Sequence, residues 1–390
     1  MAKSIIKQSR IFKTTQQMNK ITLTILFISL FSFGQETTTN IGLDTLSAER
    51  NEIIHLWKNY LNSKPYQLNN NSNWLEADKK IYKSYDLLRS EGFIRPSIYH
   101  FQLDNKILSI TKNDEDYIIK SAFINKENLD IFAIINVVAT KQNGKFVLTN
   151  YQKTLTQNWK TKTVGSITYH YFPEYQFNEE NALKANEFLN TISSTFELKN
   201  EKINYFICKD CEDVFKTKGF DYVFTMGNST ECGFFDSYNN IIYTTQLAGE
   251  NHQHELTHVI NNYFPNANDL LLIGLAAYFG GENSHNGKPI FYHIKRVNEY
   301  LKVHPEVDLN KPNGFWKLDN ETNPQYVIGS VICNLIIKKG GIPLLKEFLN
   351  SGKSNEEFLR FIELKLKLKK TSLNDYLRKN IEAISKKNAF

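Results

Sequence analysis

The chain has 390 residues, 47 of them basic and 41 acidic, and its 41% hydrophobic content is enough to bury more than one core. Five basic residues, Lys3, Lys7, Arg10, Lys13 and Lys20, fall in residues 1–34, which hold no acid, so the rest of the chain balances at 42 against 41. No basic stripe remains, so the composition predicts no nucleic-acid partner.

Residues 21–33 are an apolar run, too short to span a bilayer and as long as the core of a signal peptide. Lys20 precedes it, and Gly34 supplies a small residue before Gln35. The expectation is a leader over 1–34, cleaved near Gly34/Gln35, and an exported mature chain, periplasmic or secreted, with no membrane span. Met18 lies just ahead of the apolar run and offers a later start, and no cysteine near the cleavage point suggests a lipid anchor.

Residues 48–61 have an amphipathic helical pattern, 69–73 are a polar linker, and 76–89 are a second helical run. Strand-like segments follow at 98–101, 106–111, 117–123, 131–139 and 145–151, with Asn143-Gly144 as a hairpin turn between the last two. Residues 35–160 therefore read as a small α+β domain of helices and an antiparallel sheet. Further on come a strand at 166–171, a helix at 179–196 and strands at 203–207 and 240–245. The last of these offers an edge to which an extended peptide could pair.

Cys208, Cys211, Cys232 and Cys333 allow three pairings. The apolar run around Cys333 favours a buried free thiol. Cys208 and Cys211 have the spacing of a redox pair, but a structural disulfide involving Cys232, or one within a local loop, suits an exported chain better.

Residues 254–258 read His-Glu-Leu-Thr-His. On a helix, positions i and i+4 share a face, so His254 and His258 can hold one metal ion between them. Glu255 is then placed as a general base for a water that the metal activates. Leu256, Val259, Ile260 and Tyr263 keep apolar helical spacing, and Pro265 closes the run. The plain alternative is a solvated helix face that carries two histidines.

Downstream, residues 271–281 run Leu-Leu-Ile-Gly-Leu-Ala-Ala-Tyr-Phe-Gly-Gly, and Tyr326-Val327-Ile328-Gly329-Ser330 follows. With the His-Glu-x-x-His motif these resemble, in order, the motifs of the gluzincin metallopeptidases, the thermolysin and aminopeptidase-like clan. The resemblance covers roughly residues 165–350. It implies an α+β protein with a two-lobed zincin-like catalytic domain over 161–390, an α/β upper lobe to about 265 and a helical lower lobe from about 266. It also implies a Zn2+ cofactor, a peptide or protein substrate and an oxyanion-stabilising role for Tyr326.

The chain departs from the family at one position. Where gluzincins have their third zinc ligand, a glutamate, it has Ile273, with fourteen residues between it and His258. Asp269 lies one turn earlier on the same face and is the substitute candidate, although it also suits the N-cap of a helix over 270–279. Glu282, His285 and His252 are further nearby donors. Two functions are therefore expected: a zinc-dependent peptidase using Glu255 and Tyr326, or a degenerate peptidase-like protein that binds peptide or a partner without cutting it.

Overall fold

The computed structural model describes residues 37–63, 71–82, 87, 103–224, 226, 232–280, 288–311, 314–315, 318–319 and 321–390. The leader expected over 1–34, the strand expected at 98–101, Glu282 and His285 lie outside the described residues.

The described residues begin with β1 (Thr37–Thr39), α1 (Ala48–Leu61) and α2 (Glu76–Ile81), followed by a meander of β2 (Leu103–Asn113), β3 (Asp116–Asn125), β4 (Ile131–Gln142) and β5 (Lys145–Asn150). β2 to β5 pair antiparallel in sequence order, and β1 adds to β2 in parallel. Asn143 and Gly144 both take positive φ, as a two-residue hairpin of this hand requires. α1 closes one face, burying Ile53, Trp57, Tyr60 and Leu61, and the Trp57 indole N–H donates to Asn105 Oδ1 at 3.0 Å. α2 is described only to Ile81, short of the expected residue 89.

A second sheet follows. The elements of this stretch in chain order are α3 (Tyr151–Leu155), β6 (Lys160–Val164), β7 (Ile167–Tyr171), α4 (Glu179–Thr195), β8 (Ile203–Cys208), α5 (Cys211–Thr217), β9 (Phe220–Val223), β10 (Gly233–Asp236) and β11 (Ile241–Thr245). The strand order is β10-β11-β8-β7-β6, with β7, β8 and β11 parallel and the two outer strands antiparallel to them. β9 leaves this half of the chain and pairs with β4 of the first sheet. The sheets are also tied by side chains: Tyr82 O–H donates to Gln152 Oε1 at 2.9 Å, and Gln152 Nε2 donates to Tyr243 Oη at 2.8 Å.

The segment 240–245 was expected to offer an edge for a peptide. β11 is instead wholly buried between β8 and β10, and among the described residues the edge on this side belongs to β10. The redox pairing of Cys208 with Cys211 is also overturned. Cys211 bonds Cys232, as the structural alternative required, while Cys208 and Cys333 are buried free thiols.

The remaining elements are helical: α6 (Gln253–Asn261), α7 (Asp269–Phe279), α8 (Ile290–Val303), α9 (Pro324–Leu349), α10 (Asn355–Leu366) and α11 (Lys370–Lys387). One face of the second sheet, with Ile167, Tyr169, Ile203, Tyr205, Ile207 and Ile242, shares a continuous core with these helices. At about 25 cal/mol per Å² of apolar area, each fully buried side chain of this kind contributes about 1.5–3 kcal/mol. Among the described residues α9 is the helix long and apolar enough to cross a membrane by length and composition, yet Val327, Ile328, Val331, Ile332 and Ile336 lie in that core. Helical dihedrals break at Gly340 and Gly341 within it.

α7 and α9 cross in direct backbone contact. A Cβ on Gly274 would stand 2.1 Å from the Gly329 carbonyl carbon, and one on Gly329 would stand 2.4 Å from the Leu270 oxygen. The glycines of the second and third motifs are thus two sides of one contact. It places Tyr326, three residues before Gly329, over α6.

Candidate metal centre

α6 forms because its apolar residues recur at helical spacing: Leu256, Val259 and Ile260 are at most 3% exposed. The opposite side of the helix turns His254, Glu255 and His258 towards a cleft of about 860 Å³. Each of the three offers one ligand atom, all within 4.8 Å of one another, a group able to hold a metal ion. The Nε2 atoms of His254 and His258 are 3.2 Å apart. The His254 ring stacks on Tyr326, with centroids 5.3 Å apart, and Tyr326 lines the same cleft.

Asn261 sits one turn beyond His258, and its amide lies 2.7 Å from His258 Nδ1. As oriented, Asn261 Nδ2 faces the ring while the buried Oδ1 has no hydrogen-bond partner. Turning the amide over makes Oδ1 an acceptor for Nδ1–H and leaves the Nε2 lone pair for a metal, the usual outer partner of a ligand histidine. Asn261 was absent from the sequence reading, although its i+3 spacing from His258 on the same face was available there.

β10 closes the cleft above Glu255. The Phe235 backbone N–H donates to the Glu255 carboxylate, and Gly233, Phe234, Phe235 and Tyr238 line the cleft. Gly233 is fixed by contact: a Cβ there would stand 2.3 Å from His252 Cε1 and 2.8 Å from Glu255 Cγ. His252 therefore packs beneath β10, with Nδ1 3.4 Å from Thr244 Oγ1, and is outside the three-residue group.

Asp269 lines the cleft but is also outside that group. It is the first residue of α7, not its N-cap. Asn268 holds that place, and its Oδ1 accepts from the Leu270 N–H. Ile273 faces a smaller hollow of about 200 Å³, which shares Asp269 and Lys353 with the cleft.

Burial sets the protonation of the metal-free site. It pushes Glu255 up to about 8, against the Phe235 N–H, which favours the carboxylate. It pushes His258 down to about 4, helped by the neighbouring His252, which burial also lowers to about 4. The His258 imidazole is thus held in the neutral form that binds metals. The two shifts act oppositely on stability. The histidines contribute stability above the unfolded value of 6.5, and it is lost as pH falls towards 4. Glu255 contributes below its unfolded value of 4.5, and that is lost as pH rises through 8. In chelator, Glu255→Gln should therefore raise the melting temperature at pH 8.5 by on the order of 5 °C, and the gap should close near pH 4.5. Calorimetry across that range checks this; parallel profiles for variant and parent would contradict it.

The sequence matches no protein-family model, and no curated protein matches it.

Proposed function

We propose that this protein is an exported zinc-dependent metallopeptidase of the gluzincin kind, which hydrolyses peptide bonds at the His254–Glu255–His258 cleft. The observation that carries the reading is the 3.2 Å between the two Nε2 atoms. Two nitrogens each about 2.0–2.1 Å from one tetrahedral zinc lie about 3.3 Å apart, so the donor pair fits. Glu255 in the same group, Tyr326 stacked on His254 and an antiparallel edge strand along the cleft support the reading further. So does the division of residues 161–390 into an α/β part and a helical part with the cleft between them, as expected of a two-lobed zincin.

His254 and His258 would hold the metal, with Asp269 as the candidate third donor. A bound zinc supplies Lewis acidity, polarising a carbonyl and lowering the pKa of water to about 7. Glu255 takes the proton of the attacking water and returns it to the leaving nitrogen. Tyr326 O–H donates a hydrogen bond to the carbonyl oxygen as it gains charge. An extended substrate adds to the edge of β10, and Phe234, Phe235 and Tyr238 offer its side chains apolar walls. Purified protein should cleave unfolded polypeptide, lose that activity in chelator and regain it with zinc. No cleavage under any metal condition would refute the reading.

Ile273 favours a second reading, a peptide-binding protein that has lost its third ligand and does not cut. Ile273→Glu separates the two. In a degenerate site it should raise zinc affinity at least about tenfold and create or strengthen cleavage. Where Asp269 already completes the site, the added charge should lower activity. No change in either property would mean that position 273 does not face the metal. Export is checked by the mass of the native N-terminus, which should begin at or near Gln35; mature protein that keeps residues 21–33 would contradict it.

A further inference from the structure

β10 is only four residues long and lies at the edge of its sheet, with β11 as its one strand neighbour among the described residues. Such a strand has little hydrogen bonding of its own to keep it in place. Yet the site depends on its position, since Phe235 N–H reaches Glu255 and Gly233 fits between His252 and Glu255 with no space to spare. The residue before Gly233 is Cys232, bonded to Cys211 at the first turn of α5. A second tie runs between the same elements: the Lys218 ammonium, just past the end of α5, lies 3.7 Å from the Phe234 ring centroid. α5 thus acts as a clamp on the strand that positions the base.

We infer that the Cys211–Cys232 disulfide is a reducible latch on the cleft: oxidised, it holds β10 against Glu255; reduced by a dithiol, it releases the strand and lowers turnover. The catalytic half of this inference rests on the peptidase reading; the structural half does not. Cys211 is 4% exposed, while Cys232 is half-buried, the more exposed residue of the pair and so the one the reagent attacks first. A thiolate of the dithiol bonds to Cys232 Sγ and the Cys211 thiolate leaves. The second thiol of the reagent then closes on the first, releasing the Cys232 thiolate. Two electrons pass to the protein, which gains two protons, and the reagent becomes a cyclic disulfide. Cys208, at the end of β8, does not divert the exchange, since it is fully buried and burial pushes its thiol pKa up.

The test is hydrogen exchange by mass spectrometry on the full chain, oxidised and after dithiothreitol, alongside Cys211→Ser/Cys232→Ser. Reduction should speed exchange across residues 233–236 by about tenfold or more while α7 and α9 keep their protection. The double variant should exchange like the reduced chain, and where peptide cleavage is present, kcat should fall more than KM changes. Unchanged exchange at 233–236 after complete reduction would overturn the latch, and so would loss of protection everywhere at once. Faster exchange at β10 with no cleavage in either state would leave the latch standing and count against the peptidase reading.

Discussion

Glu255→Gln should keep its metal and lose hydrolysis by about 10²- to 10⁴-fold, the usual contribution of a positioned general base. The amide preserves the shape of a side chain that is 6% exposed, and its oxygen still accepts from the Phe235 N–H. What it removes is the ability to take a proton. The loss should therefore appear in kcat, with zinc content and substrate affinity little changed. A variant that cleaves as fast as the parent would remove Glu255 from the chemistry. A variant that loses metal together with activity would make it a ligand.

Gly329→Leu should prevent the fold, or cost it more than about 4 kcal/mol, because overpacking against backbone cannot relax as a side-chain clash does. Any Cβ at 329 would stand 2.4 Å from the Leu270 oxygen and 2.6 Å from Gly274 Cα, so α7 and α9 must separate. Separation would lift Tyr326 off His254. The milder Gly329→Ala should still fold, with a lower melting temperature and reduced near-ultraviolet dichroism from the Tyr326 stack. If Gly329→Leu melts like the parent, the crossing is not as close as described.

What could be read from the sequence was local. The α6 helix declares itself because both its signals, paired histidines at i+4 and an apolar face, lie within ten residues. Most strands of the first sheet, and the turn at Asn143-Gly144, follow from alternation and a two-residue hairpin signal. The cap of α7 was placed one residue late because Asn268 and Asp269 are both good capping residues, and only the fold decides which one is left outside the helix.

The missed features depend on partners far along the chain. β9 and β10 are four residues each and too short for any period, and β9 pairs with β4, more than eighty residues earlier. The choice of Cys232 over Cys208 as the partner of Cys211 is likewise set by the fold. Gly274 and Gly329 were visible as motif residues, but their reason, a shared helix crossing, appears only when the two helices meet.

The central claim, that His254 and His258 share one metal, is tested most directly by elemental analysis of protein purified without chelator. The account predicts about one zinc per chain in the parent, and none above background in His254→Ala and His258→Ala that remain folded. Parent protein without bound zinc, and with no gain in melting temperature when zinc is added, would contradict it.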